Sequence, residues 1–178
     1  MRHALKLHPD SRPGAATGIE VDVARPHAGN LLLHYFVAGT ISDLVMPPVS
    51  TSMRTDELWR HTCFEAFVRP SPGEAYYEFN FAPSTRWAAY RFSGARRGMH
   101  VAGEIREPHI DVRSNGGICE MRVSLDLPSD APWRLGVSAV IEETSGRKSY
   151  WALAHPPGKA DFHHSDCFTL ELPAPLRS

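Results

Sequence analysis

The sequence predicts an all-β fold, two antiparallel sheets packed as a sandwich, and three observations carry that reading. Apolar and polar residues alternate with period two through most of the chain, and clusters of turn-forming residues separate the alternating runs. No long stretch keeps the 3.6-residue rhythm of a helix. Alternation places successive side chains on opposite faces and marks strands with one buried and one wet face.

The elements follow in order. Ile19, Val21 and Val23 alternate with Glu20, Asp22 and Ala24, and after a turn at residues 27–30 come Leu31, Leu33, Tyr35 and Val37. Phe64, Ala66 and Val68 alternate with Cys63 and Glu65, then Tyr77, Phe79 and Phe81 with Tyr76, Glu78 and Asn80, then Tyr90 and Phe92 with Ala89 and Arg91. Ile110 and Val112 flank Asp111, and Cys119, Met121, Val123 and Leu125 alternate with Glu120, Arg122 and Ser124. Runs from Trp133 to Ile141, Tyr150 to His155 and Phe168 to Leu172 complete the set. Proline- and glycine-bearing turns at 70–73, 114–117, 128–130, 145–146 and 156–158 punctuate them. Short strands every 8–12 residues or so are the spacing of an antiparallel sandwich or barrel. Ser42 to Glu57, with Pro47 and Pro48, reads as a loop with one helical turn. No linker or repeat divides the 178 residues, which read as one domain, 1–178, long enough to bury its own core.

Composition narrows the function. Nineteen Lys and Arg stand against 20 Asp and Glu, for a net charge of −1. So even a balance offers no field for nucleic acid or an anionic membrane. The three cysteines, Cys63, Cys119 and Cys167, are odd in number and form no CxxC pair, so three reduced thiols are expected, with neither a disulfide nor a cysteine-rich zinc site. The N-terminus lacks the apolar run of a signal peptide, and no segment approaches the ~20 apolar residues of a membrane span. A cytoplasmic location is the expectation.

Two gatherings of polar residues invite a functional reading. If the strands around 64–68, 76–81 and 87–92 form a meander, one face is apolar, with Phe64, Ala66, Val68, Tyr77, Phe79, Phe81, Tyr90 and Phe92. The other then carries His61, Cys63, Glu65, Tyr76, Glu78, Asn80, Trp87, Ala89 and Arg91, extended by Glu120 and Arg122 if their strand joins the same sheet. Such a face is either a solvated exterior with cross-strand ion pairs of about 0.2–1 kcal/mol each, or a shallow groove. In the groove Trp59 and Trp87 stack on a ring while Glu65, Glu78, Asn80 and Arg91 hold hydroxyls. The second gathering is Trp151, His155, Asp161, His163, His164, Asp166 and Cys167. Its spacing matches no metalloenzyme signature, and adjacent histidines on an extended segment point to opposite faces, so a hydrogen-bonded clasp is expected there rather than a metal. Nucleophile elbow, P-loop and dinucleotide fingerprint are all missing; Glu65 and Glu78 offer a carboxylate pair for glycoside hydrolysis, though carboxylates on neighbouring strands are common.

Three separated runs carry a resemblance. Residues 54–68 (RTDELWRHTCFEAFV), residues 76–92 (YYEFNFAPSTRWAAYRF), and Tyr150 to His155 followed by Lys159 to His163 and Phe168 resemble the bacterial DOMON-like domain proteins, in the expected order. The wider group is similar to the family-nine carbohydrate-binding modules and to the sugar- and haem-binding DOMON domains. The resemblance implies an immunoglobulin-like or jelly-roll-like β-sandwich with a ligand site on or at the edge of one sheet. It implies aromatic residues that clamp a sugar and polar side chains that hold its hydroxyls. Haem-binding relatives ligate iron with Met and His; Met53, Met99 and several histidines are present here, in no matching motif.

The expectation is a non-catalytic module for a sugar-like or other small polar ligand, without a cofactor. Trp59, His61, Glu65, Glu78, Asn80, Trp87, Arg91, Trp151, His155, Asp161 and His163 are its candidate contacts. The alternatives are haem binding, a hydrolase using Glu65 and Glu78 or a metal at His155, Asp161 and His163, and an interaction domain that dimerises through the polar face.

Overall fold

Twelve strands and three short 3-10 turns make up the regular structure of the computed structural model, which describes residues 1–174. The strands are β1 (Arg2–Leu7), β2 (Ala16–Ala24), β3 (Asn30–Gly39), β4 (Cys63–Pro70), β5 (Tyr76–Phe81), β6 (Trp87–Phe92), β7 (His100–Val101), β8 (His109–Ser114), β9 (Ile118–Asp126), β10 (Trp133–Glu142), β11 (Lys148–Ala152) and β12 (Leu170–Leu172). The loop expected between Ser42 and Glu57 is present, entered through a 3-10 turn at Ile41–Asp43. No helix among the described residues is long and apolar enough to cross a membrane.

All strand pairs are antiparallel, in the order β7-β6-β5-β4-β10-β11-β1-β2-β3-β9-β8, with β12 beside β10. The expectation of two separate sheets needs correction, because the hydrogen bonding is continuous. The first residues of β1, Arg2 to Leu5, pair with β2, while Lys6 and Leu7 pair with Ala152 and Trp151 of β11. One short strand thus closes two edges that would otherwise offer unpaired backbone. The sheet curls so that its halves share one core. Ile19, Val21, Leu33 and Tyr35 of one half lie in the same buried cluster as Phe64, Phe79, Leu135 and Val137 of the other. Tyr35 stitches the halves together. Its ring lies 5.0 Å from that of Phe64, and its hydroxyl donates to the Glu65 carbonyl at 3.0 Å.

The central strands β4, β5 and β6 are buried on both faces. A second cluster of Phe67, Tyr76, Ala88, Tyr90, Phe92, Val140, Ala152, Phe162 and Phe168 packs on the side away from the main core. Its cover is the long connection of residues 153–169 between β11 and β12. Gly136 on β10 lets this cover approach, since a Cβ there would lie 3.0 Å from the Cys167 carbonyl oxygen and 3.7 Å from the Phe67 Cβ. Gly136→Val is expected to destabilise the protein by about 1–3 kcal/mol through overpacking, measured by urea denaturation. Unchanged stability would mean that the connection does not sit against β10.

Candidate functional site

Pairing register decides which side chains share the covered face. Ala152, Ser138, Glu65, Asn80 and Ala88 stand opposite one another in a row across β11, β10, β4, β5 and β6. The next row runs Gly136, Phe67, Glu78 and Tyr90. Directly opposed residues in an antiparallel ladder point to the same side. Glu65 therefore stands beside Ser138 and Asn80, with Ala152 and Ala88 further along its row, and Glu78 stands between Phe67 and Tyr90, so that short side chains leave space above Glu65.

That space is a cavity of about 440 Å³. Glu65, Phe67, Glu78 and Val140 form its sheet side. The 3-10 turn at Leu58–Arg60 contributes Trp59, β11 contributes Tyr150, and Phe92, Arg96 and Met99 come from β6 and the turn after it. Residues 153–169 close it with Ala160, Phe162 and His163. An adjoining, more basic recess holds His8, Asp10, Arg12, Arg147, Lys148 and Lys159, and shares Tyr150 and Ala160 with the first.

Both carboxylates are almost wholly buried, Glu65 at 3% exposure and Glu78 at 5%. Glu65 Oε2 accepts a hydrogen bond from Ser138 Oγ at 2.9 Å, and Glu78 Oε1 accepts one from Asn80 Nδ2 at 2.9 Å. Asn80 is fixed from its other end, where Cys63 Sγ donates to Asn80 Oδ1 at 3.5 Å. The other Glu65 oxygen accepts no protein hydrogen bond among the described residues. Burial pushes Glu65 up to about 8; the Glu78 charge adds to the rise and the Ser138 bond opposes it. Burial pushes Glu78 up to about 6, against the Asn80 bond and the charge of Arg96. Burial thus raises both carboxyls, and the pair holds a proton to higher pH than a free carboxyl does.

His163 hangs over this floor. Its Nδ1 lies 2.8 Å from the Tyr76 hydroxyl and its ring meets Phe67 and Phe92 edge-on, with centroids 5.1 and 5.0 Å away. Its Nε2 is 3.6 Å from Glu78 Oε2. Burial, helped by the charge of Arg96 and opposed by Asp161, lowers His163 to about 4, so at neutral pH this contact is not an ion pair. Arg96 is committed elsewhere, its Nη2 donating to Asp161 Oδ1 at 2.7 Å.

The candidates from the sequence divide sharply. Trp59, Glu65, Glu78 and His163 line the cavity, Asn80 holds Glu78 from beneath, and Asp161 anchors Arg96 at the rim. Trp87 and Arg91 lie on the other face of β6, because Phe81 pairs with Trp87, Glu78 with Tyr90 and Tyr77 with Arg91. Trp87 is buried in the main core under the Arg54 guanidinium, 4.1 Å above its ring, and exposed Arg91 lies 3.8 Å from Glu104. The parity expected for β6 was inverted, and Tyr90 and Phe92 belong to the face of Glu65. Glu120 and Arg122 do not extend it, since β9 pairs with β3 and β8 in the other half. His61 is exposed and bonds Glu142 at 2.7 Å. Trp151 is in the main core, its indole N–H donating to Ser149 Oγ. His155 bonds the Lys6 carbonyl and packs edge-on against His8.

The remaining expectations meet the same geometry. The face is neither solvated nor flat, so it offers no open sheet surface for a partner. Among the described residues no three His, Cys, Asp or Glu side chains gather in a way that can hold a metal ion. Met99 and His163 both line the cavity, but the ring nitrogens of His163 face Tyr76 and Glu78, and carboxylates form the floor. These residues do not fit a haem. Sequence reasoning missed Phe92, Arg96, Tyr150 and Phe162. One signal was available: the run Cys63 to Val68 is apolar at both parities apart from Glu65, the pattern of a strand covered on both sides.

No family model matches the chain, and no curated protein matches it in sequence. Solved structures do match. The chain shares its fold with a Bacteroides uniformis protein assigned as carbohydrate-binding, at TM-score 0.64 and 15% identity, over 94% of this chain and 84% of that one. It also aligns, at TM-score 0.48 and 11% identity, with a family-nine carbohydrate-binding module from Caldicellulosiruptor kristjanssonii solved in complex with glucose, over 86% of this chain and 76% of that one.

Proposed function

We propose that the protein is a non-catalytic binding module, a β-sandwich relative of the carbohydrate-binding modules and DOMON-like domains, and that the cavity above Glu65 and Glu78 takes a small polyhydroxylated ligand. The observation that carries this reading is a pair of nearly buried carboxyl groups at the bottom of an aromatic-walled cavity of about 440 Å³. That volume lies within the range of small-molecule sites, and an apolar wall with a few fixed polar groups is their usual make-up. A carboxyl pair that shares a proton both donates and accepts hydrogen bonds, as hydroxyl groups require. Trp59 and Phe162 supply flat apolar surface for a ring. The fold shared with the Bacteroides protein assigned as carbohydrate-binding agrees with this reading.

Ligand-observed NMR against a panel of monosaccharides and polyols tests it. Wild-type protein is expected to bind at least one, and Trp59→Ala to weaken that binding ~10-fold or more, the order of a lost aromatic contact, with the melting temperature nearly unchanged. No binding across the panel, or full binding by Trp59→Ala, would remove the reading.

One observation favours a second reading, hydrolysis. Two nearly buried carboxyl groups on neighbouring strands face one cavity, and burial raises both, so the pair can hold and release a proton beside a bound ligand. Release of nitrophenol from nitrophenyl glycosides, lost in Glu78→Gln, is the expected signature.

A further inference from the structure

The cavity has an unmet electrostatic requirement. Glu65 and Glu78 occupy neighbouring strands at diagonal positions, both nearly buried, and each side chain is hydrogen-bonded through one oxygen only. Buried carboxylates are ordinarily matched by a cation, because an ionised group away from water is costly without one. Here no arginine or lysine among the described residues touches either carboxyl; Arg96 acts on Glu78 only from a distance, and burial keeps a proton on the pair instead. Among the described residues the one basic group within ion-pair distance of either carboxyl is His163, which burial among Phe67, Phe92 and Tyr76 keeps neutral. The charged groups around the pair are otherwise Arg96 and Asp161, which spend themselves on each other at 2.7 Å. The remaining walls are mainly aromatic, with Trp59, Tyr150, Phe92 and Phe162 beside Met99, Val140 and Ala160. Aromatic faces around a site attract a cation electrostatically. A neutral polyol leaves the charge of the pair without a partner in contact; an ammonium group provides one and displaces the proton that burial otherwise keeps there.

We infer that the ligand of this cavity carries a basic nitrogen, as an amino sugar or amino polyol does, with its ammonium group seated between Glu65 and Glu78 and its carbon skeleton against Trp59 and Phe162. This deepens the small polar-ligand reading above and rests on it. The ammonium donates hydrogen bonds to the free oxygens of both carboxyls, and the ligand's hydroxyls turn toward Arg96 and the cavity mouth.

Calorimetric titration of the full-length protein near neutral pH with matched pairs tests the inference: glucosamine against glucose, galactosamine against galactose, mannosamine against mannose. At least one amino sugar is expected to bind ~10-fold or more tightly than its hydroxyl counterpart, the scale of charge-assisted hydrogen bonds in a secluded site. The N-acetylated form of that sugar, whose nitrogen is a neutral amide, is expected to lose the advantage; this control needs no variant. Glu65→Gln/Glu78→Gln is expected to bring the pair to equal affinity. If amino sugar and neutral sugar bind alike, the inference fails while the polyol reading stands. If butylamine, which has no hydroxyl, binds as tightly as the best amino sugar, the basic-nitrogen inference stands and the sugar reading fails. If no probe binds, both are overturned.

Discussion

Glu65→Gln is expected to stabilise the protein at pH 9 by on the order of 4 kcal/mol, about 10 °C in melting temperature for a chain of this size, and to change it little at pH 5. The sign follows from proton binding. Glu65 titrates near 8 in the folded protein and Glu78 near 6, against 4.5 without the fold. Between pH 4.5 and 8 the folded state therefore holds more protons than the unfolded one, and its stability falls as pH rises through that window. Glutamine keeps an oxygen to accept from Ser138 and carries no charge to bury, so it removes the alkaline penalty while preserving the contact at 2.9 Å. His163 acts in the opposite sense. Its folded value near 4 lies below the usual 6.5, so its contribution is complete above pH 6.5 and is lost as pH falls through 4. Melting curves of wild type and Glu65→Gln from pH 5 to 9 isolate the carboxylate. A variant less stable than wild type at pH 9 would show that Glu65 is neutralised within the protein. The expected result is the mark of a group kept at a cost in stability, as binding residues often are.

Trp87→Ala is expected to cost about 3–5 kcal/mol, the range for deleting a large buried aromatic. Trp87 is 4% exposed, packs in the main core, and carries Arg54 over its face at 4.1 Å. Arg54 also donates to the Ile105 carbonyl at 2.9 Å and the Ala89 carbonyl at 3.3 Å, so removing the ring loosens a link between β6 and the residues after β7. Among the described residues the buried indole N–H has no partner, so Trp87→Phe loses no hydrogen bond there and should cost about 1–2 kcal/mol. Ligand binding by Trp87→Phe is expected to match wild type, in contrast to Trp59→Ala. Urea denaturation beside the NMR titration separates the two tryptophans. Wild-type stability in Trp87→Ala together with lost binding would return Trp87 to the site.

The sequence by itself determined the all-antiparallel β character, the extents of most strands, and the pairing of Glu65 with Glu78 on one face. In β4 and β5 the positions facing the main core are apolar throughout, so the period-two pattern assigns the carboxylates to the opposite side without ambiguity. Only the tertiary structure decided which way β6 faces. Its residues Trp87, Tyr90 and Phe92 are aromatic at both parities, because residues 153–169 and the turn around Trp59 bury its second face as the core buries the first. Alternation records a difference between protein and water; with protein on both sides no difference is left to read. The register then follows from the five residues between Phe81 and Trp87, which set those two opposite each other. The same holds for β1, whose half-buried residues carry weak alternation and whose place is set by two edges distant in the chain. It holds above all for the cavity. Trp59, Arg96 and His163 reach Glu65 and Glu78 from three separate connections, and it is the covering segment that turns an outer sheet face into a secluded site.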